Sequence, residues 1–280
     1  MLLGGKLSLF GAPRSNYDRP RLDERLEKAA AMTKEREVLI VTGGSRGIGA
    51  AVVRGAIKRG YRVCIGYVRH RAAAEELAAE LGGLDGGVIT VEGDVANPAF
   101  AERCFDRAEA ALGPVTALVN NAGITGPIGR FTETSHQTLR RTTDVNLLGT
   151  LYMAQEAVRR WERAAVPGRI VNVSSVAAAL GAPNEYVHYA ATKAAVEAFT
   201  IGLAKEVAGS GMRVNAVAPG TAYTDIHAAA GEPDRPARIA SRVPIGRIAE
   251  PEEIANAVLW LLSAEASYVT GTVLRVAGGL

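Results

Sequence analysis

From Val38 onward the hydrophobic pattern of this chain switches between two periods in a steady alternation. Short runs such as Val38-Leu39-Ile40-Val41 are apolar at every position, the mark of strands buried on both faces of a parallel sheet. Between them lie longer stretches with apolar residues three and four apart, the mark of helices laid on a sheet by one face. The pattern predicts strands at 38–41, 61–67, 88–91, 117–120, 169–173, 214–218 and 272–276. It predicts helices at 50–58, 72–77, 97–112, 138–164, 189–207 and 251–262, the fifth stopped by Gly209-Ser210-Gly211.

Repeated strand–helix units call for right-handed crossovers and a parallel sheet covered on both faces. The expected fold class is therefore α/β, a single Rossmann-type doubly wound parallel sheet of about seven strands. No linker or composition shift divides 36–280, which reads as one domain, with a mobile substrate lid around 221–247. Residues 1–35 break the pattern. They read as a mobile extension, with packing at a subunit interface as the alternative.

Composition narrows the function without naming it. Apolar residues make up 48% and charged residues 22% of the 280, enough for a large core in an ordinary globular protein. The net charge is +3 with basic residues scattered, which gives no case for nucleic acid or membrane partners. No apolar run approaches the ~20 residues of a spanning helix. Cys64 and Cys104 fit neither a disulfide framework nor a metal site, so a reducing cytoplasm is the expected compartment. His70, His136, His188 and His227 lack metal-ligand spacing, and no metal is expected.

Candidate chemistry gathers where the predicted strands end. The first runs into Thr42-Gly43-Gly44-Ser45-Arg46-Gly47-Ile48-Gly49 and then a helix, a geometry that presents free N–H groups to a phosphate. Gly43, Gly47 and Gly49 permit positive φ or close approach of backbone to a pyrophosphate. The spacing Gly-x-x-x-Gly-x-Gly differs from the usual dinucleotide fingerprint. The third strand leads to Asp94, the fourth to Asn121-Ala122-Gly123, the fifth to Ser174-Ser175 and the sixth to Pro219-Gly220. Five such ends in a row favour a cleft along one edge of the sheet.

Tyr189 and Lys193 lie four apart on a predicted helix and share a face. A phenol with its pKa near 10 is a poor base at neutral pH, and a neighbouring ammonium favours its phenolate. Ser175 lies close enough in sequence for a loop to bring its hydroxyl to the phenol; Ser174 is the rival, and strand alternation points the two to opposite faces. Asn146 sits in a helical pattern, where it caps a local backbone group or, if the helix breaks there, frees a carbonyl or holds a water. His188 reads as a cleft-lining or surface residue rather than a base.

In order and context, the glycine turn, Asn120-Asn121-Ala122-Gly123, Tyr189-Ala190-Ala191-Thr192-Lys193, Pro219-Gly220 and the ending from Tyr268 to Gly279 resemble the short-chain dehydrogenase/reductases, the group with 3-oxoacyl-ACP reductase-like and glucose dehydrogenase-like enzymes. The resemblance implies hydride transfer between a nicotinamide and a carbonyl or secondary alcohol, with Asn146, Ser175, Tyr189 and Lys193 as the catalytic tetrad. It makes Tyr189 the general acid, Ser175 the stabiliser of the alkoxide and Asn146 the support of a water relay. Lys193 would hold the nicotinamide ribose and lower the phenol pKa. Cofactor contacts carry over to Gly43, Ser45, Arg46, Gly47, Ile48 and Gly49; to Arg69; to Asp94 and Val95; to Asn121, Ala122 and Gly123; to Tyr189 and Lys193; and to Pro219, Gly220 and Thr224. The implied assembly is a homotetramer packed through the 138–164 and 189–207 helices. The alternative function is a non-catalytic nucleotide-binding regulator or scaffold of the same fold.

Local charge points to the cofactor. The second strand ends at Tyr67, followed by Val68, Arg69, His70 and Arg71, with no acid before Glu75 to take a ribose 2′-hydroxyl. Arg46 and Arg69 together favour a 2′-phosphate, hence NADP(H) over NAD(H), while Arg71 reads as a surface charge. The lid sequence names no substrate beyond a small carbonyl or alcohol.

Overall fold

The unbroken apolar run at Val38 becomes β1 (Val38–Thr42), buried at all five positions. The computed structural model describes residues 36–280, and the expectation for 1–35 lies outside them. Six further strands follow: β2 (Arg62–Tyr67), β3 (Val88–Glu92), β4 (Val115–Asn120), β5 (Arg169–Val173), β6 (Arg213–Pro219) and β7 (Val273–Val276). They form one sheet in the order β3-β2-β1-β4-β5-β6-β7, parallel throughout. The chain winds outward from β1 through β2 to β3, then returns to the other side of β1 with β4. Winding reverses between β1 and β4, and there the carboxyl ends of the strands open a crevice.

The longer helices are α1 (Gly47–Lys58), α2 (Arg71–Glu80), α3 (Pro98–Leu112), α4 (His136–Thr143), α5 (Gly149–Ala164), α6 (Val187–Val207) and α7 (Pro251–Leu262). One face of the sheet packs Leu39, Val41, Val63 and Ile65 against Val52 and Val53 of α1 and Val258 and Leu262 of α7. Phe100 and Phe105 of α3 and Trp161 of α5 are also buried in full, and the Trp161 indole N–H donates to the Val115 carbonyl at 2.6 Å. Each such large side chain contributes roughly 1.5–3 kcal/mol when taken from water. Arg160 of α5 clasps α3 through Asp106 at 2.7 Å and Glu109 at 2.6 Å. Cys64 and Cys104 are buried free thiols with sulfurs 3.9 Å apart.

Most boundaries move by one to three residues from the sequence pattern, and two of the differences bear on the site. The helix expected from residue 97 begins at Pro98, because the Asn97 side chain accepts from Ala99 N–H at 3.1 Å and caps it. The long helix expected over 138–164 is not continuous: α4 and α5 are joined by a π-helical turn, Asp144–Leu148. A π turn widens the helix by one residue and often accompanies a functional side chain.

Candidate active site

The first wall of the site is the turn between β1 and α1. Gly43 and Gly47 adopt φ of +61° and +52°, where a Cβ would strain the backbone. Gly49 answers to close approach instead: a Cβ there would stand 2.6 Å from Asn121 Nδ2 and closer still to the Gly43 carbonyl. Asn121 pins the turn from β4, its amide donating to the carbonyls of Thr42 at 3.0 Å and Gly43 at 2.9 Å. The Thr42 hydroxyl accepts from the N–H groups of Asn121 and Ala122 at 3.0 and 3.1 Å. Thr224, from beyond β6, lies against Gly47, where an added Cβ would meet its methyl at 3.1 Å. Ser45 and Ile48 are half-buried in the turn and Arg46 is exposed.

At the centre, Asn146 is fully buried in the π turn. Its side chain accepts from Ile124 N–H at 2.8 Å and donates to the Ile124 carbonyl at 2.8 Å and to Thr192 Oγ1 at 3.1 Å. The break in the helix that a functional Asn146 requires is thus present. Gly123 lies between two of the expected groups, since a Cβ on it would be 3.4 Å from both Asn146 Oδ1 and Lys193 Nζ. Lys193 Nζ donates to the Val173 carbonyl at 2.7 Å and stands 5.7 Å from the centre of the Tyr189 ring.

The two serines after β5 separate as alternation predicts. Ser174 is buried and turns to Glu197 at 2.8 Å and the Lys193 carbonyl at 3.3 Å. Ser175 is half-buried, accepts from Ala177 N–H at 3.2 Å, and stands beside the Tyr189 phenol, where it favours the phenolate. His188 Nε2–H donates to the Thr125 carbonyl at 2.7 Å, a lining role.

Electrostatics depart from expectation at Tyr189. Burial raises its pKa above the ordinary phenol value, and the Ser175 hydrogen bond and the Arg235 charge pull it back only in part. Arg235 is thus a second cation near the phenol, beside Lys193 on the tyrosine's own helix. Lys193 is itself buried, which lowers its pKa to about 8.

The remaining expected residues ring the crevice. Val95 is buried against Gly149, and Asp94 is held by Ala96 N–H at 3.0 Å and by Arg141 of α4 at 2.6 Å. Pro219 ends β6 and Gly220 N–H donates to the Val276 carbonyl at 2.9 Å. Arg69 is exposed beyond β2, and Arg46 meets Asp225 at 3.4 Å. Sequence reasoning missed Glu92. The parallel register sets it beside Tyr67, whose hydroxyl donates to it at 3.4 Å, and Arg71 pairs with it. An acid does therefore stand at the end of β2, supplied by the neighbouring strand, and Arg71 is its partner. It also missed Thr42, which stands directly before the glycine turn, and the pair Glu185 and Arg235, fifty positions apart, which leave no sequence signal.

A glycine cradle that any Cβ would fill, next to buried hydrogen-bonding groups, fits the dinucleotide that the sequence implies. The comparisons agree with this geometry. A family model described as Enoyl-(Acyl carrier protein) reductase matches residues 43–280. The uncharacterized oxidoreductase YgfF of Escherichia coli (strain K12) is 40% identical over 244 residues, 86% of this chain and 99% of that protein. L-rhamnose 1-dehydrogenase (NAD(P)(+)) of Azotobacter vinelandii is 38% identical over 248 residues, 87% of this chain and 96% of its own. The crystal structure of 3-ketoacyl-(acyl-carrier-protein) reductase from Brucella melitensis complexed with NADH superposes with a TM-score of 0.81 at 30% identity, covering 88% of this chain and 98% of that one. With its seven-stranded parallel sheet, its glycine turn and these matches, the chain belongs to the short-chain dehydrogenase/reductase family of oxidoreductases.

Proposed function

We propose that this oxidoreductase interconverts a carbonyl and an alcohol on a small molecule, prefers NADP(H) to NAD(H), and uses Tyr189 as its general acid and base. One observation carries the reading: Ser175 from the turn after β5, Tyr189 and Lys193 from α6, and Asn146 from the π turn come from three separate segments and meet at the carboxyl ends of β4 and β5, beside the glycine turn. The bound cofactor supplies or accepts the hydride. In the reducing direction the Tyr189 hydroxyl gives its proton to the developing alkoxide, and Ser175 donates a hydrogen bond to the same oxygen. Lys193 holds the ribose hydroxyls, and Asn146 supports the route by which Tyr189 regains a proton from solvent. The turn residues Gly43, Ser45, Gly47, Ile48 and Gly49 hold the pyrophosphate side, with Asp94, Val95, Asn121, Ala122, Gly123, Pro219, Gly220 and Thr224 along the rest.

The NADP(H) preference rests on Arg46 and Arg69, both exposed at the mouth of the site. Glu92 opposes it as a carboxylate near the end of β2, and its ion pair with Arg71 offsets that charge. Residues 221–247 serve as the lid, the cytoplasm is the compartment, and the assembly is a homotetramer.

The test is a panel of ketones, diketones and aldoses with each cofactor; aldoses earn their place through the likeness to L-rhamnose 1-dehydrogenase. Tyr189→Phe should keep cofactor affinity and lose about 10²–10⁴ in kcat. Near-normal turnover in that variant would remove Tyr189 from the mechanism. A kcat/KM equal for both cofactors, or higher for NAD(H), would remove the arginines from phosphate recognition.

A further inference from the structure

The lid reaches the tyrosine through a clamp of charged and aromatic side chains. Arg235 lies in the short lid helix Arg235–Ala240; its side chain is 8% exposed, and it meets Glu185 at 2.6 Å. The same guanidinium covers the Tyr186 ring, 5.2 Å from its centre. Tyr186 in turn meets Tyr189 edge-on, with ring centres 5.2 Å apart and planes at 82°. Backbone bonds seat the segments on one another: Gly129 N–H donates to the Glu185 carbonyl at 2.9 Å, and Ile128 N–H to the Ala230 carbonyl at 3.2 Å.

Nothing in packing alone explains an arginine here. A buried ion pair is usually matched or bettered by apolar side chains of the same volume. Arg235 moreover keeps Nε buried without a hydrogen-bond partner among the described residues, an arrangement folded proteins seldom tolerate. A charge held at that cost beside the site points to a use for it.

We propose that Arg235 is a positioning residue for Tyr189: with the lid seated, its guanidinium fixes Tyr186 against the phenol and supplies the outside cation that steadies the phenolate. The inference rests on the role given to Tyr189 above. The charged and titratable groups around Tyr189 support it. Its own helix presents His188, held at Thr125, and Lys193, turned to the Val173 carbonyl. The loop before it presents Glu185 and Tyr186, the end of β5 presents Ser175, and the lid presents Arg235 with Arg238, Glu232 and His227 behind it. Arg235, stacked on Tyr186 and joined through that ring to Tyr189, adds a charge that favours the phenolate against burial, beside Lys193 at 5.7 Å from the ring. Lifting the lid withdraws that charge, so closure over substrate and activation of the base become one event.

The experiment is the pH dependence of kcat for alcohol oxidation, with cofactor affinity measured separately by fluorescence. Oxidation needs the phenolate, so the rate rises with pH through the apparent pKa of Tyr189, and loss of a cation moves that rise to higher pH. Arg235→Met should move it upward and lower kcat at neutral pH by about tenfold for each unit moved, because the phenolate fraction falls tenfold per unit. Cofactor affinity should change less than about twofold, as expected of a site that does not touch the cofactor. Arg235→Lys should restore most of the profile. Glu185→Gln, which leaves the guanidinium without its counter-charge, should move the rise to lower pH. A midpoint unchanged in Arg235→Met, with kcat lower by the same factor at every pH, would reduce Arg235 to a structural lid residue. If Arg235→Met does not fold, an unmoved or raised midpoint in Glu185→Gln overturns the inference. Turnover that survives Tyr189→Phe strikes instead at the tyrosine's own role, so the two failures are distinct.

Discussion

Lys193 illustrates what burial does to a single charge. Its pKa falls from 10.5 to about 8 because the ammonium leaves water for the protein interior. The folded value lies below the unfolded one, so the folded state binds the proton less well. The resulting penalty is present in full below pH 8 and fades as pH rises from about 8 to 10.5, amounting to roughly 3 kcal/mol at neutral pH. Lys193→Met should therefore be inactive yet more stable in cofactor-free buffer, by about 2 kcal/mol after loss of the bond to the Val173 carbonyl. Urea unfolding at pH 7 and pH 10 checks this: the gain should shrink at the higher pH, and an equal gain at both would refute the depressed pKa. Arg46 poses a milder case. Its 3.4 Å pair with Asp225 has side chains 42% and 64% exposed, so it is screened and weak. Asp225→Asn should free Arg46 and lower the KM for NADP(H) by at most about fivefold at low salt, with the KM for NAD(H) unmoved.

Among the elements, strand, turn and helix around Gly49 form the most tightly determined unit. A methyl at Gly49 would push into the Gly43 carbonyl and the Asn121 amide that pins the turn. Gly49→Ala should weaken NADPH binding, followed by fluorescence, by more than about tenfold and destabilise the fold by about 1–3 kcal/mol. An unchanged affinity would mean that the turn is not the phosphate cradle. This unit was legible in the sequence because its requirements are local: an apolar run, then glycines where a Cβ cannot fit. The π turn around Asn146 was not legible. The residues Asp144 to Leu148 read as ordinary helix, and the widening goes with contacts from Asn146 to Ile124 and Thr192, far away in the chain.

For the whole molecule, the surface left by the fold bears on assembly. The outer face of α6 exposes Ala191, Ala194, Ala198, Ile201 and Gly202, a strip of small and apolar residues suited to a helix from a second subunit. Light scattering at micromolar concentration should give four times the chain mass, and a charged substitution such as Ala198→Glu should lower it; a monomeric mass for the parent protein would contradict the tetramer. Hydrophobic period alone was enough to announce a parallel α/β sheet, its strands nearly to the residue, and the polar turns at their ends, because each of these follows from neighbours in sequence. Strand order lay beyond it, and with strand order came Glu92 at the tip of β2, supplied across the sheet by register. The electrostatics of Tyr189 lay beyond it too. Lys193 was visible one helical turn away, whereas Arg235, a second cation beside the phenol, reaches the site from the segment after β6 by pairing with Glu185 fifty positions away. Period and turn chemistry are written locally, whereas burial and the distance between charges exist only once the chain has closed on itself.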